Sequence, residues 1–255
     1  MRTIRIFSEE IFPGISICGS SMQGDREYQQ DAMFYKKGQG VIAAVCDGMG
    51  GLNGGEIAST NAIETLKQRF EYLDKAENIA EIFLKTAIEM DRTVAGLEDE
   101  KGERLHAGTT TVATYIRDGQ LYWLSVGDSK IYIVRSGEIQ CVTIPHTYKE
   151  WIKRNGKSSY AESGQPKEEA LMSFIGMDGI RWVDYNEKPF ILQEGDVVLL
   201  CSDGLYKSLM EQEILQIIEA CRHEFQQTAG ALIDSALEYG ERPLDNCTVI
   251  VMKYD

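Results

Sequence analysis

The sequence predicts an α+β protein in which β-sheets pack together and helices lie outside them. Three observations lead there. Short β-type runs dominate the chain, helical periodicity is confined to two separate blocks, and several links between successive runs are only a few residues long. Short links force antiparallel pairing, and segregated helices must cover the sheets from outside.

The strand-like runs lie at 14–20, 31–36, 41–46, 109–116, 121–126, 131–134, 197–201 and 248–253. Asp118-Gly119 stands between Ile116 and Leu121, and Ser136-Gly137 follows Val134; both are hairpin signals. In the first helical block, Ile57, Ile63, Leu66, Phe70 and Leu73 form one stripe over 56–73. Ile79, Phe83, Ala87, Met90 and Val94 form a second over 77–97. The block 211–239 reads as two helices broken near His223. Each amphipathic helix should lay its apolar face on a sheet. The segment 146–181 is polar and irregular and reads as a surface excursion, a kind of segment that often carries function. No repeat, low-complexity tract or Pro-rich linker interrupts the chain, so 1–255 reads as one domain.

The 255 residues include 40 Asp and Glu against 26 Lys and Arg, a formal net charge of −14, and 43% are hydrophobic. That apolar content supports a packed core and excludes a disordered chain. The acidic surplus and the lack of any basic run argue against nucleic acid as a partner. The longest apolar run, 41–46, is far shorter than the ~20 residues of a membrane span. Met1-Arg2-Thr3-Ile4-Arg5 lacks the apolar stretch of a signal peptide. The expectation is a soluble, cytoplasmic monomer with no membrane partner. Cys18, Cys46, Cys141, Cys201, Cys221 and Cys247 are scattered without a C-x-x-C pair, and Cys46 and Cys201 lie inside apolar runs. They read as small hydrophobes in a reducing compartment.

The aspartates carry the chemistry. The runs 41–46, 122–127 and 197–202 lead into Asp47-Gly48, Asp128-Ser129 and Asp203-Gly204, whereas Asp245-Asn246 precedes the last run. Taken singly, each is ordinary turn chemistry. If the last strand lies antiparallel to the other three, all four carboxylates collect at one end of the sheets. They would then repel one another unless cations compensate. Hard oxygen ligands select Mg²⁺ or Mn²⁺ over zinc, and such a cluster suits two ions about 3.5–4 Å apart. Asp31 opens the second strand and can join them, while Arg26 lies on the loop just upstream. A guanidinium fork beside two divalent ions suits a phosphate dianion.

Arg26-x-x-x-x-Asp31, Asp47-Gly48-Met49-Gly50-Gly51, Gly108-Thr109-Thr110, Gly127-Asp128-Ser129-Lys130, Ser202-Asp203-Gly204 and Asp245-Asn246-Cys247-Thr248 follow in order. The series resembles that of the metal-dependent protein phosphatases, the PPM or type 2C serine/threonine phosphatases, in their bacterial branch. The resemblance runs over nearly the whole chain. It implies a four-layer αββα sandwich, with paired helices on both outer faces and a metal cleft at one end. It implies that Asp47 bridges two Mn²⁺ or Mg²⁺ ions, that the Gly48 carbonyl binds one, and that Asp203 and Asp245 complete the first. Asp31 and Gln30 would hold waters on the ions, supported by Asn246. Asp128, with Asp203, matches the place of a third, weaker ion, and Arg26 would grip the phosphate. The excursion at 146–181 would be a flap beside the cleft. The implied reaction is hydrolysis of phosphoserine or phosphothreonine by a hydroxide bridging the ions. The implied partners are phosphorylated proteins, including a Ser/Thr kinase whose action the enzyme opposes, and that kinase's targets.

Three positions depart from the family pattern. Met49 stands where animal and plant members often carry a proton-donating His, so a metal-bound water is the expected donor, with His106 a lesser rival. Gln30 replaces a Glu found in some members, and Lys130 an Arg. The glycines at 48–55 lack the Gly-Lys-Ser/Thr ending of a phosphate-binding P-loop. Two rival readings remain: a catalytically silent binding module on the same fold, and a hydrolase of small phosphoesters. Arg26, Asp31, Asp47, Asp203 and Asp245 together argue against the first, since a silent protein could lose any of them.

Overall fold

The computed structural model describes residues 5–12, 14–50, 54–156 and 167–255. The chain runs through β1 (Arg5–Phe12), β2 (Ile15–Met22), β3 (Asp31–Lys37) and β4 (Val41–Gly50) into the helices α1 (Gly54–Lys75) and α2 (Ile79–Ala95). Next come β5 (Ala107–Thr109), β6 (Thr111–Arg117), β7 (Gln120–Val126), β8 (Lys130–Arg135), β9 (Glu138–Cys141) and α3 (Tyr148–Asn155). Then follow β10 (Asp184–Tyr185), β11 (Phe190–Ile191), β12 (Val197–Cys201), α4 (Asp203–Ser208), α5 (Glu211–Ala220), α6 (Thr228–Tyr239) and β13 (Cys247–Tyr254). One sheet has the order β1-β2-β13-β12-β8-β9; the other runs β10-β7-β6-β4-β3, with β11 beside β7 and β5 beside β4. All strand pairs are antiparallel.

The apolar run 41–46 explains the layering. Val41, Ala43 and Val45 face the other sheet and join Ile17, Ile131, Val198, Leu200 and Ile250 in the inner core. Ile42, Ala44 and Cys46 face outward and pack under Leu66, Phe70, Phe83 and Met90 of α1 and α2. Both faces of the strand are covered, so every residue is apolar although the sheet is antiparallel. On the opposite side, Leu199, Val249 and Val251 pack under Ile214, Leu232 and Ile233 of α5 and α6. The result is the αββα sandwich the motifs imply. Phe83 is fully buried between α2 and the second sheet. Phe83→Ala is expected to cost about 3–5 kcal/mol, read as a lower urea midpoint at unchanged slope.

Both hairpin signals form turns. Asp118 and Gly119 have φ of 52° and 71°, and Ser136 and Gly137 have 53° and 79°, the left-handed pair that matches strand twist. At the β3–β4 turn, Asp74 of α1 accepts the backbone N–H groups of Gln39 (2.7 Å) and Gly40 (3.0 Å) and the hydroxyl of Tyr115 (2.9 Å). The break in the last helical block falls at 221–227, around His223.

Segment 146–181 differs from its expectation as an irregular surface excursion. It contains α3, whose N-terminus is capped by Thr147 accepting from the Glu150 N–H at 3.4 Å. His146, Ser173 and Ile175 are buried. Ile175 bridges Thr109, and Asp91 of α2 accepts from the N–H groups of Gly176, Met177 and Gly179 at 2.7–2.8 Å. Hydrogen bonds anchor this segment, although many of its polar side chains, among them Lys149, Lys153, Glu168 and Glu169, stay exposed. The middle of the expected flap, 157–166, lies outside the described residues, as does Gly51 of the Asp-Gly-x-Gly-Gly motif.

Candidate active site

The sheets deliver the aspartates to one end. Asp31 opens β3 directly opposite Asp47 in the β3–β4 ladder. β6 lies antiparallel to both β4 and β7, so those two strands run the same way and Asp128 follows β7 toward the same rim. β12 and β13 are antiparallel, which sets Asp203, just after one, near Asp245, just before the other. Asp47, Asp128, Asp203 and Asp245 line a single cleft of about 390 Å³ with Arg26, Gln30, Gly48, Met49, Thr110, Lys207 and Asn246. Asp31 is 8% exposed and lies beneath it.

Asp47-Gly48 is not a turn, as Asp-Gly would suggest, but part of β4. The Asp47 N–H donates to Thr110 Oγ1 (3.0 Å), and its carbonyl accepts from the Thr110 N–H (2.8 Å) and Thr109 Oγ1 (2.9 Å). A Cβ on Gly48 would sit 2.1 Å from the Gly55 carbonyl oxygen, and one on Gly204 2.1 Å from that of Asn246. Both glycines therefore permit backbone approaches that no side chain allows. Asn246 fixes the loop that carries Arg26. It donates to the carbonyls of Gln23 (2.7 Å) and Tyr28 (3.0 Å) and accepts from the Gln30 N–H (2.9 Å). Gln30 in turn donates from Nε2 to the Gly50 carbonyl at 3.3 Å.

Charge is concentrated here. Burial, followed by repulsion from Asp31, Asp203, Asp128 and Asp245, holds the Asp47 carboxyl well above the usual carboxylate range. Burial likewise pushes Asp31 up to about 7, against the Ser202 hydroxyl, which donates to its Oδ2 at 2.7 Å. Asp128 is raised by burial and by Asp203. Two cations meet this cluster: Arg26 donates to Asp245 Oδ2 at 2.7 Å, and Lys207 pairs with Asp203. Among the described residues, no three His, Cys, Asp or Glu side chains form a finished metal cage. The donor set nevertheless fits hard cations. Asp31 Oδ1 and Asp203 Oδ1 are buried without a hydrogen-bond partner, beside carboxylates that repel one another.

Of the residues singled out from sequence, Arg26, Gln30, Asp31, Gly48, Asn246 and the four cleft-lining aspartates are in or directly under the cleft. His106 is exposed ahead of β5 and outside the lining set, which removes the support for it as a proton donor. Glu169 and Leu171 bring the return limb of segment 146–181 to the cleft wall. That limb is tied to the Asp128 loop through buried His146. Its N–H donates to the Gly127 carbonyl (2.8 Å), its Nδ1 accepts the Gly127 N–H (3.1 Å), and its ring stacks on Trp182. Sequence reasoning passed over Lys207, although it lies four residues after Asp203, the spacing of facing side chains on a helix. Thr110 was seen only as part of a motif; its hydroxyl also bonds Ser129 at 2.7 Å and so joins the Asp47 and Asp128 loops.

Comparison with known proteins yields consistent matches. The family model described as protein phosphatase 2C matches residues 18–238. A serine/threonine phosphatase stp of Listeria monocytogenes is 30% identical over 236 residues, covering 90% of this chain and 92% of that protein. The crystal structure of the Mycobacterium tuberculosis serine/threonine phosphatase PstP/Ppp superposes with a TM-score of 0.76 at 25% identity, covering 94% of this chain and 99% of that one. A structure of the PstP catalytic domain in complex with two manganese ions gives a TM-score of 0.74 at 25% identity, covering 94% and 97%.

Proposed function

The chain belongs to the protein phosphatase 2C family, and from that premise we propose that it hydrolyses phosphoserine and phosphothreonine in protein substrates, with Arg26 receiving the phosphate and the aspartate cluster holding two Mn²⁺ or Mg²⁺ ions. The observation that carries the reading is the facing pair Asp31 and Asp47, joined at one rim by Asp128, Asp203 and Asp245 with Arg26 beside them. Asp47, Asp203, Asp245 and the Gly48 carbonyl are the groups that would hold the two ions. When bound, such ions supply a water activated at neutral pH and neutralise charge on the phosphate.

The chain's own groups do the rest. Arg26 uses one nitrogen on Asp245 and keeps further donors for phosphate oxygens, a charge-assisted contact suited to the equatorial oxygens of the transition state. Asp31 stands buried behind Asp47 and orients solvent at the ions. Asn246 fixes the Arg26 loop against β13, so the guanidinium is aimed by backbone hydrogen bonds rather than left to a free loop. The lining carboxylates serve as ligands and solvent in the cleft is the nucleophile, so no phosphoenzyme is expected. Met49 cannot donate a proton, and the leaving alkoxide takes its proton from water. Residues 1–255 act as one catalytic domain, with 146–181 as the flap, and the opposing enzyme is a Ser/Thr kinase acting on the same proteins. A third, weaker ion near Asp128 meets a different environment, because Lys207 already sits on Asp203.

The test compares a phosphothreonine peptide and p-nitrophenyl phosphate with Mn²⁺, with EDTA, and in Asp203→Ala protein. Equal rates in all three conditions would sink the metal-dependent reading. Hydrolysis of the small ester with none of any phosphopeptide would favour a small-phosphoester hydrolase instead.

A further inference from the structure

Lys207 is the second cation in the cleft, and the fold holds it in a particular place. α4 begins at Asp203 and carries Lys207 one turn later on the same face. Its ammonium pairs with Asp203, which is 14% exposed, while Lys207 itself is 53% exposed and lines the cleft. The neighbouring Tyr206 donates its hydroxyl to the Asp128 carbonyl at 3.1 Å, so the same short helix is fastened to the Asp128 loop. Lys207 therefore stands beside the two carboxylates that a third divalent ion would need. Those carboxylates carry two negative charges, and the ammonium leaves the pair with one. An ion entering there would have to displace a fixed positive charge before finding oxygen ligands, and divalent-cation affinity depends steeply on ligand charge.

We propose that Lys207 is a built-in cation that takes the place of a third divalent ion, so that the cleft operates with two ions and one ammonium. The inference rests on the reading that the aspartate cluster binds two ions. Its consequence is that the charge beside Asp128 and Asp203 is present at every metal concentration. The metal requirement is then met when two sites fill, with no further phase at high concentration. Lysine suits the task as a compact point charge on a flexible stem.

Direct counting of bound Mn²⁺ tests it, by calorimetric titration together with the electron paramagnetic resonance signal of free Mn²⁺. Wild-type protein is expected to bind two ions per chain and no third in the millimolar range. Lys207→Ala should gain a third binding event, strengthened by roughly tenfold or more over anything detectable in the wild type. Lys207→Arg, which keeps the charge, should not. Adding Asp128→Asn to Lys207→Ala should remove the gained ion. A third ion on the wild type with an affinity that Lys207→Ala leaves unchanged would overturn the proposal, as would a Lys207→Ala protein that stays at two. Fewer than two ions on the wild type would overturn the underlying reading of the cluster and this inference with it. Lys207 is half exposed on the cleft wall, and folding of the variants is checked by an unchanged circular dichroism spectrum and a cooperative thermal melt with Mn²⁺ present.

Discussion

Asp47→Asn is expected to lose phosphatase activity by on the order of 10³-fold or more while the protein stays folded. Asp47 faces Asp31 across the ladder and lines the cleft with the other carboxylates, so no neighbour can take over its oxygen charge. Asn is isosteric and leaves the backbone bonds to Thr109 and Thr110 in place. The loss should appear in kcat at saturating Mn²⁺, together with weaker Mn²⁺ binding. Asp31→Asn, one layer back, should cost less, about 10–100-fold, as is usual for groups that act on a metal through its other ligands. If Asp47→Asn keeps most of its activity at any Mn²⁺ concentration, the cleft is not the reaction site.

Removing divalent ions should make stability fall as pH rises, which is unusual for an acidic protein. Burial and neighbouring carboxylates raise the Asp31 carboxyl in the folded protein to about 7, against an ordinary value of 3.8. Its contribution is therefore fully present below about pH 4 and is lost as pH climbs through 7. Asp47 and Asp128 shift in the same direction. Buried His146 runs the opposite way: its imidazole is lowered to about 3 by burial, so its neutral form supports the fold above 6.5 and ceases to as pH falls toward 3. Comparing wild type with Asp31→Asn in EDTA cancels that opposing contribution. The two proteins should melt alike at pH 4, and Asp31→Asn should be the more stable at pH 8. Mg²⁺ or Mn²⁺ should close the gap at pH 8. A gap that is the same at both pH values would show that Asp31 is ionised throughout.

The parts of this arrangement that sequence revealed were those set by local pattern. Runs of apolar residues ending in Asp gave the strands and the rim, because a strand buried on both faces has no polar position to hide. Asp118-Gly119 and Ser136-Gly137 gave the hairpins, because few residue pairs adopt two successive positive φ values. What escaped depended on contacts across the fold. α4 was hidden because Asp203-Gly204 also reads as a turn, and with it went Lys207. α3 was hidden because Lys149, Glu150, Lys153 and Arg154 outweigh Trp151 and Ile152 in a polar stretch. β10 and β11 are two residues each and exist only because β7 offers them an edge. The pairing of Arg26 with Asp245 joins residues more than two hundred positions apart and leaves no local trace.

The β3–β4 hairpin carries a further consequence. Asp31 and Asp47 sit at one end of this ladder, and the turn gripped by Asp74 sits at the other, about 20 Å away at the rise of an extended strand. Side chains alternate along a strand, so a slip of one residue at the turn would send Asp31 to the opposite face. The alignment of the two carboxylates is thus calibrated remotely, by a carboxylate on a helix that never meets the substrate. Asp74 works as a gauge block for the hairpin. Insertions near residues 38–40 would be read out as misplaced chemistry at the far rim, well before they registered as lost secondary structure.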